Sequence, residues 1–118
     1  MKSFYSCFFL VPPSWSIEPK DHTVTQGQSA IIDCVAHGYP IPLITWKYLQ
    51  NDENNSSEMT TASHYKLIRS GPHYQVYENG TLRISNTRIT DKGTYLCQAS
   101  NGIGSGLSKM IQLKINSK

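Results

Sequence analysis

The sequence predicts an all-β protein built as a sandwich of two packed antiparallel sheets. Short alternating or apolar segments are separated by Gly, Pro and Asn turn signals roughly every 8 to 12 residues, the spacing typical of such folds, and no helical period of useful length occurs. Hydrophobic residues make up 38% of the 118 positions and charged residues 16%. This composition indicates one compact globular domain rather than a disordered or fibrous chain.

Eight segments have the length and pattern of strands. In chain order they are residues 15–17, 22–25, 29–37, 43–48, 74–77, 81–85, 93–100 and 107–115. The interval between Tyr48 and Tyr74 contains the polar run 51–57, which is too hydrophilic for a plain connection in a compact domain. Loops of that length tend to be functional or mobile, so we interpret this interval as a long loop.

Two of these segments carry a cysteine within an alternating pattern. The inward-facing positions of both segments are Ile32, Cys34, Ala36, Tyr95, Cys97 and Ala99. A Cys34–Cys97 bridge would cross between the sheets and pack against Trp46, which follows the first cysteine by twelve positions. Closing so long a loop stabilises a domain by roughly 4 kcal/mol on the chain-entropy model, so we expect this disulfide to be structural.

The segment before the second cysteine predicts a tight turn into a strand. Gly93 permits the bend, and the Tyr95 hydroxyl can reach backbone upstream, the arrangement called a tyrosine corner. Asp91 is interpreted as a structural acid that satisfies backbone or a nearby arginine at this turn. Leu82 and Ile84 supply two further inward-facing core positions.

The joint pattern Cys34…Trp46…Leu82-x-Ile84…Asp91-x-Gly93-x-Tyr95-x-Cys97 resembles the immunoglobulin fold over residues 14–116. The resemblance implies an immunoglobulin-like β-sandwich with Greek-key connections. The short region after Trp46 and the turn at residues 101–104 are similar to the intermediate set (I-set), which occurs in adhesion molecules and muscle proteins.

Two local strings resemble one family of immunoglobulin proteins. Val11-Pro12-Pro13-Ser14-Trp15 and the turn at residues 101–108 are similar to a variable domain of arthropod Down syndrome cell adhesion molecules, the Dscam family. The likeness is to the seventh immunoglobulin domain of the long forms and to the first domain of the short chelicerate forms. It implies alternative splicing that encodes many versions of one domain, each of which binds its own copy on another cell.

Residues 1–12 are interpreted as a secretory leader or its remnant, and residues 13–118 as a single immunoglobulin-like domain. Lys2 precedes a short apolar stretch, the order found in signal peptides, although no small-residue cleavage site follows. Cys7 lies in this stretch, so its removal would leave one cysteine pair. The alternatives are an extension of the first strand or an arbitrary fragment start. We expect an extracellular location, secreted or on the cell surface, with any anchor outside this sequence.

Several classes of function lack the residues they need. No nucleophile, base and orienting group can be assembled, so no catalytic residue, enzyme activity, cofactor or small-molecule substrate is predicted. The histidines lack metal-ligand spacing, so no metal site is predicted; they are His22, His37, His64 and His73. The net charge of +3 forms no basic stripe, which disfavours nucleic acid as a partner.

Three acceptor motifs for N-linked glycan occur in predicted turns. Asn79-Gly80-Thr81 combines an acceptor motif with a hairpin signal, and two overlapping motifs begin at Asn54 and Asn55. If the chain is secreted, we expect at least one of the three asparagines to carry glycan.

Outward-facing positions of the sheet made of strands A, B, E and D, in immunoglobulin lettering, form a mixed apolar and charged patch. The candidate interface residues are Ile31, Asp33, Val35, Gln75, Tyr77, Arg83 and Ser85. The Dscam-like relatives pair through this side of the domain, so the resemblance implies a homophilic contact here. The plain alternative is ordinary surface, since isolated exposed apolar residues need no explanation.

The function predicted from the sequence is isoform-specific homophilic cell adhesion, with a second copy of the domain in trans as partner and neighbouring immunoglobulin domains in any longer chain. One alternative is an immune recognition domain that binds non-self ligands. A second is a structural muscle-type immunoglobulin domain, against which the acceptor motifs and the oxidisable cysteine pair both argue.

Overall fold

The structure is a computed structural model that describes residues 9–49 and 65–118. Within these residues the chain forms ten strands, and a 3-10 turn at Ile89–Asp91 precedes the ninth. The strands are β1 (Val11–Ile17), β2 (His22–Thr25), β3 (Ala30–Ile32), β4 (Val35–Tyr39), β5 (Leu43–Leu49), β6 (Tyr65–Leu67), β7 (Tyr74–Val76), β8 (Leu82–Ile84), β9 (Gly93–Ser100) and β10 (Leu107–Asn116).

The strands form two layers. In one layer β1 pairs with β4, and β3, β8 and β7 pair in that order. Strand β3 leads directly into β4 through Asp33 and Cys34, so the two groups form one layer. The five strands β1, β3, β4, β7 and β8 together make up the A-B-E-D sheet. The other layer has the order β2-β10-β9-β5-β6. The predicted all-β sandwich is confirmed.

One strand pair departs from the predicted antiparallel arrangement. Strand β2 pairs with β10 in parallel, from His22 opposite Leu113 to Thr25 opposite Asn116. The chain changes layer between β1 and β2, where Pro19 is fully buried. Proline has no N–H to donate to a ladder, so pairing with β4 ends before it. The continuing chain then joins the edge of the other sheet, where it runs in the same direction as β10.

The core lies between the layers and is centred on the disulfide and the Trp46 indole. Cys34 and Cys97 are bonded and, like Trp46, completely buried. Cys34 belongs to one layer and Cys97 to the other, so the disulfide joins them. The remaining large side chains of the core are Ile32, Ile68, Leu82, Ile84, Tyr95, Ile111 and Leu113.

Three strand predictions need correction. The first strand, predicted over residues 15–17, begins at Val11, which pairs with Tyr39 of β4. The segment predicted as one strand over residues 29–37 is divided into β3 and β4, because the chain breaks its ladder at Asp33 and Cys34. At this break, Gly80 in the turn before β8 packs against the Cys34 carbonyl oxygen. The interval interpreted wholly as a loop contains β6, whose Leu67 pairs with Lys47 of β5.

Candidate recognition surface

The outer face of the A-B-E-D sheet is the candidate surface. Strand pairing places Ile31 opposite Arg83, and Arg83 opposite Gln75, so these side chains form one row across three strands. Ile31 is 52% exposed, and Gln75 is also exposed. Arg83 is half-buried, and its Nη2 donates to Ser29 Oγ over 3.4 Å. An apolar side chain therefore stands beside a cation on an open sheet surface.

A second row lies next to the first, towards the turn between β7 and β8. The Thr81 hydroxyl donates to Asp33 Oδ1 over 2.9 Å, which fixes an exposed carboxylate on this face. Tyr77 is 42% exposed, and its hydroxyl donates to Gln75 Oε1 over 3.2 Å. This hydrogen bond links the two rows.

The other two predicted interface residues are less open. Val35 is half-buried and pairs with Ile17 of β1, and Ser85 is half-buried where its backbone N–H donates to the His73 carbonyl oxygen. Ile17 itself is 47% exposed. It was not among the predicted interface residues, because its neighbour across the sheet depends on the register of β1 against β4.

A groove borders this face where the chain passes from β1 to β2. It has a volume of about 460 Å³, and its lining includes Ile17, Ile31 and Asp33 together with Glu18, Lys20 and His22. The groove is open and mixed in polarity. It therefore extends the patch sideways with both acidic and basic groups.

The two charged residues of the patch do not take part in ion pairs within the described residues. Among residues 9–49 and 65–118, Lys109 pairs with Glu18, and Asp91 is in contact with His73, which is charged only when protonated. Asp33 has a neutral hydroxyl as its partner, and Arg83 likewise contacts a hydroxyl. Both charges therefore keep the capacity to pair with an incoming surface.

The corner before β9 is structural. The Tyr95 hydroxyl donates to the Asp91 carbonyl oxygen over 2.6 Å, and the Asp91 carboxylate accepts the Arg88 backbone N–H over 2.8 Å. The side chain that meets this carboxylate is His73, with Nε2 at 3.0 Å from both oxygens, whereas the predicted partners were backbone or an arginine side chain. Burial is the main cause that raises the pKa of Tyr95.

The other residues named from the sequence fall in several places. Asn79 is exposed in the turn between β7 and β8. Cys7, Asn54 and Asn55 lie outside the described residues. In the part of the chain that is described, no group of three or more His, Cys, Asp or Glu side chains could hold a metal ion. No helix within the same residues is long and apolar enough to cross a bilayer.

Comparison with known sequences adds the family context. The immunoglobulin domain family model matches residues 12–101. The cell adhesion molecule Dscam1 of Drosophila melanogaster is 41% identical over 105 residues, which cover 89% of this chain and 5% of that protein. The human cell adhesion molecule DSCAM is 33% identical over 105 residues, with the same coverage. The chain thus spans a small part of the length of these relatives.

Solved structures show the same likeness. A crystal structure of the eight N-terminal immunoglobulin domains of DSCAM isoform 1.30.30 matches with a TM-score of 0.76 and 38% identity, over 91% of this chain and 13% of that one. The immunoglobulin domains 1–5 of Sidekick-1 match with a TM-score of 0.70 and 28% identity, over 92% and 20% of the two chains. A titin M10 complex with obscurin-like 1 matches at 20% identity, which shows the fold alone.

Proposed function

The chain belongs to the immunoglobulin domain family, is similar to Dscam proteins and is non-enzymatic, and from this premise we propose that it is an extracellular recognition module that binds a second copy of itself in cell adhesion. The observation that carries the proposal is the exposed row on the A-B-E-D sheet, where Ile31 lies beside Arg83 and close to Asp33. The relatives support it, since they are named as cell adhesion molecules.

Self-recognition requires a surface that complements itself. A two-fold contact sets one patch against the same patch of the partner. The A-B-E-D sheet carries exposed apolar and aromatic side chains, Ile31, Ile17 and Tyr77 among them, and charges of both signs. Apolar side chains can then form the dry centre while each carboxylate faces a guanidinium of the other copy.

The isoform-specific form of this function is also a proposal. Changes at outward positions of a sheet alter the contact without altering the core, because successive side chains point to opposite faces. Many versions of the domain could therefore share one sandwich and differ in partner choice. Within this proposal, specificity depends on which opposed charges match and which repel.

The experiment displays the domain on a membrane stalk and measures clustering of the cells that carry it. Ile31→Lys should abolish clustering, because two cations would be placed in the apolar centre of the contact. Ile41→Lys is the matched control, since Ile41 is 84% exposed but lies in the connection between β4 and β5, outside this face.

Three results would contradict the proposal. Clustering of Ile31→Lys cells at the level of the parent would remove this face from the contact. Parent cells that never cluster, with a monomeric domain in sedimentation, would show that this domain alone does not carry self-recognition. Binding to microbial surfaces without self-association would instead favour the immune recognition function.

A further inference from the structure

The turn between β7 and β8 contains the acceptor motif Asn79-Gly80-Thr81. The turn is held by two backbone hydrogen bonds of 2.9 Å, from Tyr77 N to Thr81 O and from Gly80 N to Tyr77 O. Asn79 is exposed within it. An exposed asparagine in a tight turn has room for a bulky, solvated sugar.

The side-chain amide of Asn79 has a defined orientation. The Thr81 backbone N–H donates to Asn79 Oδ1 over 2.9 Å. Because a backbone N–H can only donate, the atom it meets is the amide oxygen. The amide nitrogen, to which an N-linked sugar is attached, is therefore left free of this hydrogen bond on an exposed side chain.

Thr81, the third residue of the motif, is buried, whereas Asn79 is exposed. Thr81 is 7% exposed, and its hydroxyl donates to Asp33 Oδ1 over 2.9 Å. The acceptor motif is defined by a hydroxyl residue at this position, so the modifying enzyme must reach that hydroxyl. In the folded domain this hydroxyl belongs to a buried residue and is engaged with Asp33.

The middle residue joins the turn to the core. The Gly80 carbonyl accepts the Trp46 indole N–H over 2.7 Å, and a methyl group at Gly80 would overlap the Cys34 carbonyl oxygen. The turn therefore closes onto the tryptophan and the backbone beside the disulfide. Its closure is coupled to formation of the central core.

From this geometry we propose that Asn79 carries an N-linked glycan and that the sugar is attached before the turn between β7 and β8 closes. Folding of the core and modification of Asn79 then compete for the same segment. The finished domain presents the glycan beside Tyr77, at one end of the A-B-E-D face. The inference requires passage through a secretory pathway. It does not rest on self-recognition, but a glycan at Asn79 would border the proposed contact at Tyr77 and Asp33.

The first test measures the glycan on the secreted domain. The chain is expressed in insect cells behind a heterologous secretion signal, with Ser56→Ala and Ser57→Ala to remove the motifs at Asn54 and Asn55. Intact mass should fall after treatment with a peptide N-glycosidase, and peptide mapping should locate the sugar at Asn79. Asn79→Asp is the control, because its carboxylate still accepts the Thr81 N–H but cannot carry the sugar. Unmodified Asn79 in the secreted parent would overturn the site.

The second test addresses the order of events. Unmodified domain made in a bacterial periplasm is offered to purified oligosaccharyltransferase with a lipid-linked sugar donor, either folded and oxidised or reduced and unfolded. The unfolded chain should be modified at Asn79 and the folded domain should lose this reactivity. Equal modification of both forms would overturn the proposed order, and no modification of either would overturn the site.

Discussion

Tyr95 and Asp91 together fix the corner that precedes β9. The tyrosine hydroxyl donates to the Asp91 carbonyl oxygen, while the carboxylate accepts the Arg88 N–H and meets His73. Burial, followed by repulsion from Tyr74 if that phenol were ionised, raises the pKa of Tyr95, and burial followed by the Asp91 charge raises the pKa of Tyr74. The folded domain therefore holds these two phenols in the neutral form.

The free energy of unfolding should fall as the pH rises above about 10, the ordinary tyrosine pKa. Below that pH both states keep the phenolic protons, whereas above it the unfolded chain releases them and the folded domain does not, which favours unfolding. Tyr95→Phe should reduce this slope and cost about 1 kcal/mol at neutral pH through the lost hydrogen bond. Urea unfolding at a series of pH values measures both effects, with the exposed Tyr39→Phe as control. An unchanged slope in Tyr95→Phe would contradict the prediction.

Gly80 is a position where the backbone itself requires glycine. Its φ is +110°, a region that other residues rarely adopt, and a methyl group there would overlap the Cys34 carbonyl oxygen. We expect Gly80→Ala to destabilise the domain by about 1–3 kcal/mol, the usual range for overpacking. Gly71→Ala is the control, because a methyl group there meets nothing within 4 Å. Equal thermal stability of the two variants would show that the turn adapts.

At the scale of the strands, the Cys34–Cys97 disulfide holds the two layers together. Cys97 lies in β9, and Cys34 lies in the break between β3 and β4. Replacing both Cys34 and Cys97 with alanine should cost about 2–5 kcal/mol, since the cross-link restricts the unfolded chain. Cys7→Ala should leave the free energy of unfolding unchanged. Peptide mapping that found Cys7 bonded to Cys34 or Cys97 would contradict this pairing.

The sequence predicts a strand best where its pattern is local. The bounds of β2 and β9 agree with the prediction, because clear alternation or turn signals surround them. Strand β6 was missed because it is three residues long and is defined by pairing with β5 across residues 50–64. The break at Asp33 and Cys34 marks a change of pairing partner from β8 to β1, two strands that are distant from each other in sequence. No periodicity could reveal it.

On the candidate surface as well, the features that follow from local pattern were predicted, and the contacts between distant strands were not. Alternation from Cys34 placed Ile31 and Asp33 on the outer face, and the structure has both exposed. The Thr81 contact with Asp33 and the pairing of Ile17 with Val35 depend on register between distant strands. The contact of His73 with Asp91 joins the connection before β7 to the 3-10 turn before β9. Such contacts follow from the assembled sandwich rather than from any sequence pattern.

For the whole molecule, the position of the charges limits how two copies can meet. Asp33 and Arg83 lie in neighbouring rows of one sheet, and neither forms an ion pair within residues 9–49 and 65–118. If two A-B-E-D faces meet about a two-fold axis, a pairing of Asp33 with Arg83 of the other copy occurs twice. A single reversal then places like charges together at both positions.

Exchanging these two charges should change partner choice without changing the fold. Asp33→Arg or Arg83→Asp alone should sharply weaken self-association, because like charges then oppose each other twice. The double exchange should recover part of the self-association and pair poorly with the parent. Mixed-cell aggregation with differently labelled parent, single and double variants measures this, and sedimentation of the free domains checks it.

Two controls separate recognition from folding in this experiment. Asp33→Arg removes the acceptor of the Thr81 hydroxyl, so Asp33→Asn, which keeps an oxygen at that position, tests the loss of charge alone. Lys114→Glu reverses an exposed charge on β10, in the opposite sheet, and should cluster as the parent does. Thermal unfolding of every variant establishes that it is folded. If both single reversals are folded and still aggregate as well as the parent, Asp33 and Arg83 are not in the contact, and recognition must use another part of the surface.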